Sequence, residues 1–202
     1  MLVAIGLVGV YFISRESGNT INQPVNIVNQ PIDAQADWLT FTSDQYGFVI
    51  KYPPSYLLNE DVTANLDWQW SGEGKGTRAV TFSLPRDSQP GTNLSEAQVH
   101  VGISDDSATV ATCLNPQYYQ ATGQSVQINN LIFQTFTYNG AGVGNFYEVS
   151  SYRLQDKTRC YVIEIMMHSG NIGNYDPPVK EFDKVKVQSA LEEIVQTFGL
   201  IK

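Results

Sequence analysis

The strongest constraint on the fold is a pair of long alternating segments, "NFYEVSSYRL" and "RCYVIEIMMH", separated only by "QDKT". Successive side chains of a β-strand point to opposite faces of the sheet, and so short a connection predicts an antiparallel hairpin. A two-residue turn at Asp156-Lys157 would place Tyr152 opposite Tyr161. One face of the second strand is then a core stripe formed by Tyr161, Ile163, Ile165 and Met167. The other face is mixed, as in a sheet surface that lies partly under a helix or a loop.

Further alternating segments and turn signals predict more strands of the same kind. They are Leu39–Ser43, Phe48–Tyr52, 78–84, 98–104, and a hairpin of "SVQI" and "LIFQTFTY" joined by Asn129-Asn130. The prolines of "PPSYLL" fit one short helical turn. The final segment carries apolar residues at helical spacing, which predicts a long helix with Asp176 as its N-cap. The fold class is therefore α+β, an antiparallel β-sheet flanked by helices with the long C-terminal helix packed on the sheet.

The N-terminal part of the chain differs in composition from the rest. Residues 1–16 contain the apolar run "MLVAIGLVGVYFI", which is shorter than the roughly 20 residues that span a bilayer. We interpret 1–16 as a truncated signal or membrane-anchor segment, and 17–37, rich in Asn, Gln and Pro, as a flexible spacer. Residues 38–202 would then form one globular domain, with membrane contact through residues 1–13 only.

The charge balance limits the classes of partner. The chain has 12 Lys and Arg residues and 20 Asp and Glu residues, which gives a formal net charge of −8. Nucleic-acid binding draws its affinity from basic side chains that neutralise phosphates, so we expect no nucleic acid partner. Anionic lipid headgroups are disfavoured for the same reason.

The stretch "CYVIEIMMHSG" contains a cysteine, two methionines and a histidine, which are residue types that bind copper. On an extended strand, however, Cys160 and His168 would lie about 26 Å apart, at about 3.3 Å per residue. They cannot share one ion, and His100 is the only other histidine. We therefore predict no metal site and no cofactor.

The two cysteines of the chain, Cys113 and Cys160, are predicted to form a disulfide. Export of the domain, which the N-terminal segment indicates, would place them in an oxidising compartment. A closed loop of this length would stabilise the fold by about 4 kcal/mol in the loop-entropy description. The alternative is two separate buried thiols.

We find no residue set that predicts catalysis. Glu148 and Glu164 lie on neighbouring strands but are expected on opposite faces of the sheet, and Asp105 and Asp106 are better placed to cap a helix that starts near Ser107. The chain lacks a G-x-S-x-G motif, and the glycines of "GAGVGN" suit a hairpin loop rather than a phosphate loop. No enzyme activity is predicted.

Both ends of the predicted domain resemble a known family. "YGFVIKYPPSY" and "LEEIVQTFGLIK" resemble the start and the closing segment of PsbP-like domains, and the likeness extends over about residues 38–202. Tyr56 stands where tryptophan is common in that family. The resemblance implies an antiparallel sheet between helices in an exported or membrane-tethered protein, acting as a binding or assembly module without a shared set of catalytic residues.

These observations predict a non-catalytic, envelope-exposed binding or assembly module that is tethered by its N-terminus and whose globular domain is monomeric. Its partner would be a protein or another envelope component. One alternative is a structural surface subunit that associates through the apolar N-terminal segment. The other is a hydrolase with a site that the sequence does not reveal.

Overall fold

The computed structural model describes residues 35–60 and 67–201. The chain divides after Asp33, and the unit described below is the second, Ala34–Lys202. The predicted signal or anchor segment 1–16 and residues 17–34 of the predicted spacer lie outside the described residues. Within the described ranges, no helix combines the length and the apolar character needed to cross a membrane.

Two antiparallel sheets and two α-helices form the described domain. The smaller sheet has the order β1-β2-β10, and its strands are Leu39–Ser43, Phe48–Tyr52 and Gly199–Leu200. The larger sheet has the order β3-β4-β5-β9-β8-β7-β6. Its strands are β3 Leu57–Asn59, β4 Thr77–Ser83, β5 Leu94–Ser104, β6 Gln120–Ile128, β7 Leu131–Gly142, β8 Asn145–Gln155 and β9 Cys160–Gly170. The helices are α1, Ser107–Ala111, and α2, Lys184–Val195.

The predicted hairpin of β8 and β9 is present, but its register differs from the prediction by two residues. Tyr152 lies opposite Ile163 instead of Tyr161, because the connection has four residues, 156–159. The Asp156 carboxylate accepts hydrogen bonds from the backbone N–H groups of Thr158 (2.8 Å) and Arg159 (2.6 Å), which closes this wider turn. A shift of two residues leaves every side chain on its predicted face.

The prediction of a long C-terminal helix is wrong in length and starting point. The helix α2 has 12 residues and begins after Asp183, whose carboxylate accepts from the N–H of Lys186 at 3.0 Å. The preceding segment is held extended, because Lys180 exchanges backbone hydrogen bonds with Gly91 (3.1 Å) and Asn93 (2.9 Å). The predicted helical turn at "PPSYLL" is also wrong: a turn closed by the N–H of Tyr56 and the carbonyl of Pro53 leads into β3.

The inner face of the large sheet carries the main core. The predicted stripe on β9 is confirmed, since its four side chains are at most 4% exposed. It packs against α2 and the small sheet, through side chains that include Phe48, Ile50, Leu191, Ile194 and Phe198. The helix covers only part of this face: strands of 11 residues extend about 36 Å, whereas a helix of 12 residues is about 18 Å long.

Candidate functional site

Two chain segments lie over part of the outer face of the large sheet, residues 67–74 and 107–119, which we call the outer cover. Trp68 and Cys113 of the cover form an apolar cluster with Cys160 and Val162 of β9. The first segment approaches the sheet at Gly102, where a Cβ atom would overlap the carbonyl oxygen of Trp68. Glycine at this position therefore permits the close contact between the cover and β5. The outer face is mixed and partly covered, as the alternation of β9 predicts.

A disulfide between Cys113 and Cys160 joins the second segment of the cover to β9, with the Sγ atoms 2.01 Å apart. Both cysteines are buried. The bond ties the cover to the first residue of β9, at the end of the sheet near the β8–β9 turn. The described part of the chain has no free cysteine.

Glu164, in the middle of β9, is the centre of a buried ionic cluster. Its side chain is 0% exposed, and Oε2 accepts a hydrogen bond from the backbone N–H of Trp70 at 2.6 Å. Oε1 accepts from the hydroxyl of Tyr119 at 2.6 Å. Glu164 therefore binds both segments of the outer cover to the sheet.

Two cationic or protonatable side chains complete this cluster. The Nε2 atom of His100 lies 3.1 Å from Oε2 of Glu164, at ion-pair distance but without hydrogen-bond alignment, and its Nδ1 atom has no partner. Arg153 places Nη2 3.9 Å from Oε1. The guanidinium also donates to the Gln69 side-chain oxygen at 2.6 Å and stacks 4.6 Å above the ring of Tyr119. Such partners are what a buried charge requires, because an isolated one is very costly.

The electrostatics of the cluster favour an ionised Glu164 and a neutral His100. Burial raises the pKa of Glu164, but the close approach of the His100 imidazole, the Tyr119 hydroxyl and the Trp70 N–H outweigh it, so the net direction is downward. Burial also lowers the pKa of His100 below its ordinary value, and the positive charge of Arg78 acts in the same direction. Because both groups are fully buried, we assign them a structural role.

The residues that the sequence analysis considered for catalysis or metal binding lie in separate parts of the fold. Glu148 lies opposite Met167 on the inner face and Glu164 opposite Ser151 on the outer face, which confirms that the two carboxylates do not meet. Cys160 and His168 lie near opposite ends of β9. Of the two aspartates predicted to cap α1, Asp106 is the N-cap and accepts from the N–H of Thr109 at 3.0 Å. Among the described residues, no three His, Cys, Asp or Glu side chains come close enough to hold a metal ion.

Beyond the cover, the outer face remains open as a groove, which we call the outer groove. It consists of two cavities of about 550 and 560 Å³ that share Ser83 and Glu96. Side chains of β4 and β5 form its floor, including Thr81, Ser83, Glu96 and Gln98, and β3 lies along one side. Sequence reasoning did not identify this groove, because its residues come from segments that meet only in the folded sheet.

Aromatic rings line the other side of the outer groove. Trp70 borders one cavity and His168 the other. Between them the ring of Tyr147 lies 5.4 Å from Trp70 and 4.4 Å from His168, the latter pair being stacked. His168 is fixed further by a 2.8 Å hydrogen bond between Nε2 and Oδ1 of Asn145. The three rings are each half-buried and form a row, in which Trp70 and His168 border the groove and Tyr147 lies between them without lining either cavity.

Charges of both signs line the outer groove. Arg78 and Asp67 lie in one cavity, Arg86 in the other, and Glu96 belongs to both. Arg78 is held in place by a hydrogen bond from Nε to the backbone carbonyl of Asp67 at 2.9 Å. Two positive and two negative side chains thus balance in a protein whose formal net charge is −8.

A second opening, of about 550 Å³, lies on the inner face where α2 does not reach. Phe146, Ile172 and Phe182 supply its apolar lining. The ion pair of Lys184 and Glu148 lies at this opening and is solvent-exposed. Its lining also includes polar side chains such as Asn139, Asn171 and Glu181. The outer groove differs in that its floor consists of side chains of two adjacent strands, β4 and β5.

Comparisons with known proteins concern the fold. No family model matches the chain, and no curated protein matches its sequence. The structure is similar to a crystal structure from Bacteroides thetaiotaomicron, with 13% identity, a TM-score of 0.48, and 82% of this chain aligned with 49% of that one. This chain therefore spans about half the length of that protein.

For two further similar structures, the alignment with this chain covers nearly the whole of the other chain. One is cyanobacterial PsbP from Synechocystis, with 12% identity, a TM-score of 0.41, and 82% of this chain aligned with 93% of that one. The other is LpqN of Mycobacterium tuberculosis, described as involved in cell envelope biogenesis, with 8% identity, a TM-score of 0.43, and coverages of 82% and 91%. A PsbP is thus among the similar structures.

Proposed function

We propose that this chain is a non-catalytic binding or assembly module that acts outside the cytoplasm and takes an envelope component into its outer groove. The observation that carries the proposal is the groove itself, where Trp70, Glu96 and His168 face an open space on a rigid sheet. Open concave sites with a few fixed polar and aromatic groups are the usual form of ligand sites. The apolar run within residues 1–13 supports a tether at the N-terminus.

The disulfide supports the location. Stable disulfides are typical of secreted, periplasmic and surface proteins, because cytosolic reductants keep thiols reduced. Here the bond between Cys113 and Cys160 holds the outer cover on the sheet. The part of the fold that adjoins the groove thus depends on an oxidising environment.

The burial of the ionic cluster supports binding rather than catalysis. A catalytic acid or base with a shifted pKa must reach its substrate. His100 and Glu164 have shifted pKa values but are both 0% exposed, and the carboxylate of Glu164 is used to hold Trp70 and Tyr119. These groups support the wall of the groove and do not face it.

Site-specific photo-crosslinking in the organism that makes the protein tests this proposal. A benzophenone amino acid replaces Arg86, which is exposed at the outer groove, in the full chain. The matched control carries it at Gln127, an exposed residue of β6 at the opposite edge of the sheet. We expect an envelope-derived adduct from position 86 and none from position 127. No adduct at either position, or equal adducts at both, would contradict the proposal.

A further inference from the structure

We infer that the ligand of the outer groove is a saccharide chain of low net charge, bound along the aromatic row of Trp70, Tyr147 and His168. The inference rests on the binding role proposed above and adds the chemical class of the ligand. It draws on three properties of the groove: its accessible rings, its dense set of short polar side chains, and its balanced charge.

The aromatic row suits the apolar side of a sugar ring. A pyranose presents C–H groups on its faces, and these pack on aromatic rings, which offer large rigid surfaces with little rotamer entropy to lose. Trp70 and His168 stand at the two ends of the row and border the two cavities, with Tyr147 behind them. Each cavity therefore has its own ring.

The floor of the groove suits the hydroxyl groups of the same ligand. Ser83 supplies a hydroxyl and Glu96 a carboxylate, while the hydroxyl of Thr81 and the amide of Gln98, each 7% exposed, lie at the base of the groove, all on the two adjacent strands β4 and β5. Each sugar hydroxyl both donates and accepts a hydrogen bond, so it is matched by a mixture of donors and acceptors. Alternation along the strands points these side chains to the same face.

The charges argue against strongly ionic ligands. Arg78 and Arg86 would attract an anionic chain, but Asp67 and Glu96 in the same groove repel it. A cationic ligand would be attracted by Asp67 and Glu96 but repelled by Arg78 and Arg86. Charged partners are recognised by surfaces of the opposite sign, and like charges brought together in an interface oppose binding. A ligand with many hydroxyls and little net charge can form hydrogen bonds with the two arginines and with the two carboxylates, and neither pair repels it.

The length of the groove fits a chain of several sugar rings. Its floor follows β4 from Arg78 to Ser83, and five steps along an extended strand cover about 17 Å. The competing occupant is an extended peptide, which would pair with β3, the terminal strand of the large sheet. A peptide would use backbone hydrogen bonds along β3 and would depend little on Trp70.

Isothermal titration calorimetry of the full chain tests the inference, in lauryldimethylamine oxide, a detergent without a sugar headgroup. The probes are chitotetraose, cellotetraose and maltotetraose. We expect at least one to bind with a dissociation constant below about 1 mM. Trp70→Ala should weaken that binding at least tenfold, as expected for a central aromatic contact. Trp70→Phe should restore most of it, and Tyr118→Ala, at an exposed tyrosine of the outer cover that does not line the outer groove, should leave it unchanged.

No binding by all three probes, or binding that Trp70→Ala leaves intact, would overturn the inference. The proposed function is tested by a different result: it is contradicted if position 86 gives no adduct in the cell. If position 86 gives an adduct that proteases digest, and no saccharide binds, the ligand is a peptide. The saccharide inference would then be wrong, and the proposed binding role would still hold. Circular dichroism of each variant shows whether it has folded.

Discussion

The carboxylate oxygen Oε2 of Glu164 lies 2.6 Å from the backbone nitrogen of Trp70, a residue 94 positions earlier in the chain. This bond connects the centre of the large sheet to the residue that forms one end of the aromatic row. Through the same carboxylate, Tyr119 of the second cover segment is held at 2.6 Å. A fully buried side chain thus helps to position Trp70, which borders the groove.

Replacing Glu164 by glutamine should destabilise the domain strongly. The substitution removes the negative charge and leaves Arg153 buried at 1% exposure without its counter-ion. Breaking a buried ion pair typically costs about 3–5 kcal/mol. Urea unfolding followed by fluorescence measures the change. Glu193→Gln, on the exposed side of α2, is the matched control and should stay within about 0.5 kcal/mol of wild type. A loss below about 1 kcal/mol for Glu164→Gln would argue against an ionised cluster.

The stability of the domain should fall on acidification. His100 and Glu164 both have a lower pKa in the folded protein. Such a group favours folding above its unfolded pKa, and its contribution is lost as the pH falls through that value toward the folded one. The loss should begin near the unfolded histidine pKa of about 6.5 and continue below the unfolded glutamate pKa of about 4.3.

The variant His100→Gln separates the two contributions to this pH dependence. It should flatten the unfolding free energy between about pH 6.5 and 5 and keep the decline at lower pH. His168→Gln, at the half-buried histidine of the aromatic row, is the control for the loss of a histidine side chain. Equal flattening by both variants would contradict the role given to His100.

The disulfide predicts a defined mass and a defined loss of stability. Alkylation of the unfolded protein should add no mass before reduction and two alkyl groups after it. The double variant Cys113→Ala/Cys160→Ala should be less stable than the oxidised protein by about 4 kcal/mol, because the bond closes a loop with a sequence separation of 47. Alkylation without prior reduction would show that the thiols are free.

Gly102→Ala should loosen the outer cover. The new methyl group would overlap the carbonyl oxygen of Trp68, a backbone atom, so the cover would have to move away from β5. We expect a loss of about 1–3 kcal/mol, as for overpacking in general. Gly142→Ala is the matched control, since a Cβ atom at Gly142 has no neighbour within 4 Å. Equal effects of the two substitutions would refute the close contact.

Local patterns predicted the strands well. The bounds Leu39–Ser43 and Phe48–Tyr52 agree with the structure, and the core stripe of β9 follows from alternation alone. The register of β8 and β9 was missed because one aspartate side chain widened the turn. The start of α2 was missed because Lys180 pairs with Gly91, far away in sequence.

The candidate site was predicted least well. Alternation places Glu164 on the mixed face, but its burial depends on Trp70 and Tyr119, which reach it from distant segments. The groove likewise joins β3, β4 and β5 with the cover. Contacts of this kind have no periodicity, so no local pattern in the sequence reports them.

The most direct test of the account is the photo-crosslinking yield at position 86 with Trp70 intact and with Trp70 replaced by alanine. Both proteins carry the crosslinking residue in the outer groove, and Tyr118→Ala in the same background is the control. If the aromatic row holds the ligand, the adduct falls at least tenfold with Trp70→Ala, which corresponds to about 1.4 kcal/mol or more, and persists with Tyr118→Ala. An unchanged adduct with Trp70→Ala would contradict binding in the outer groove.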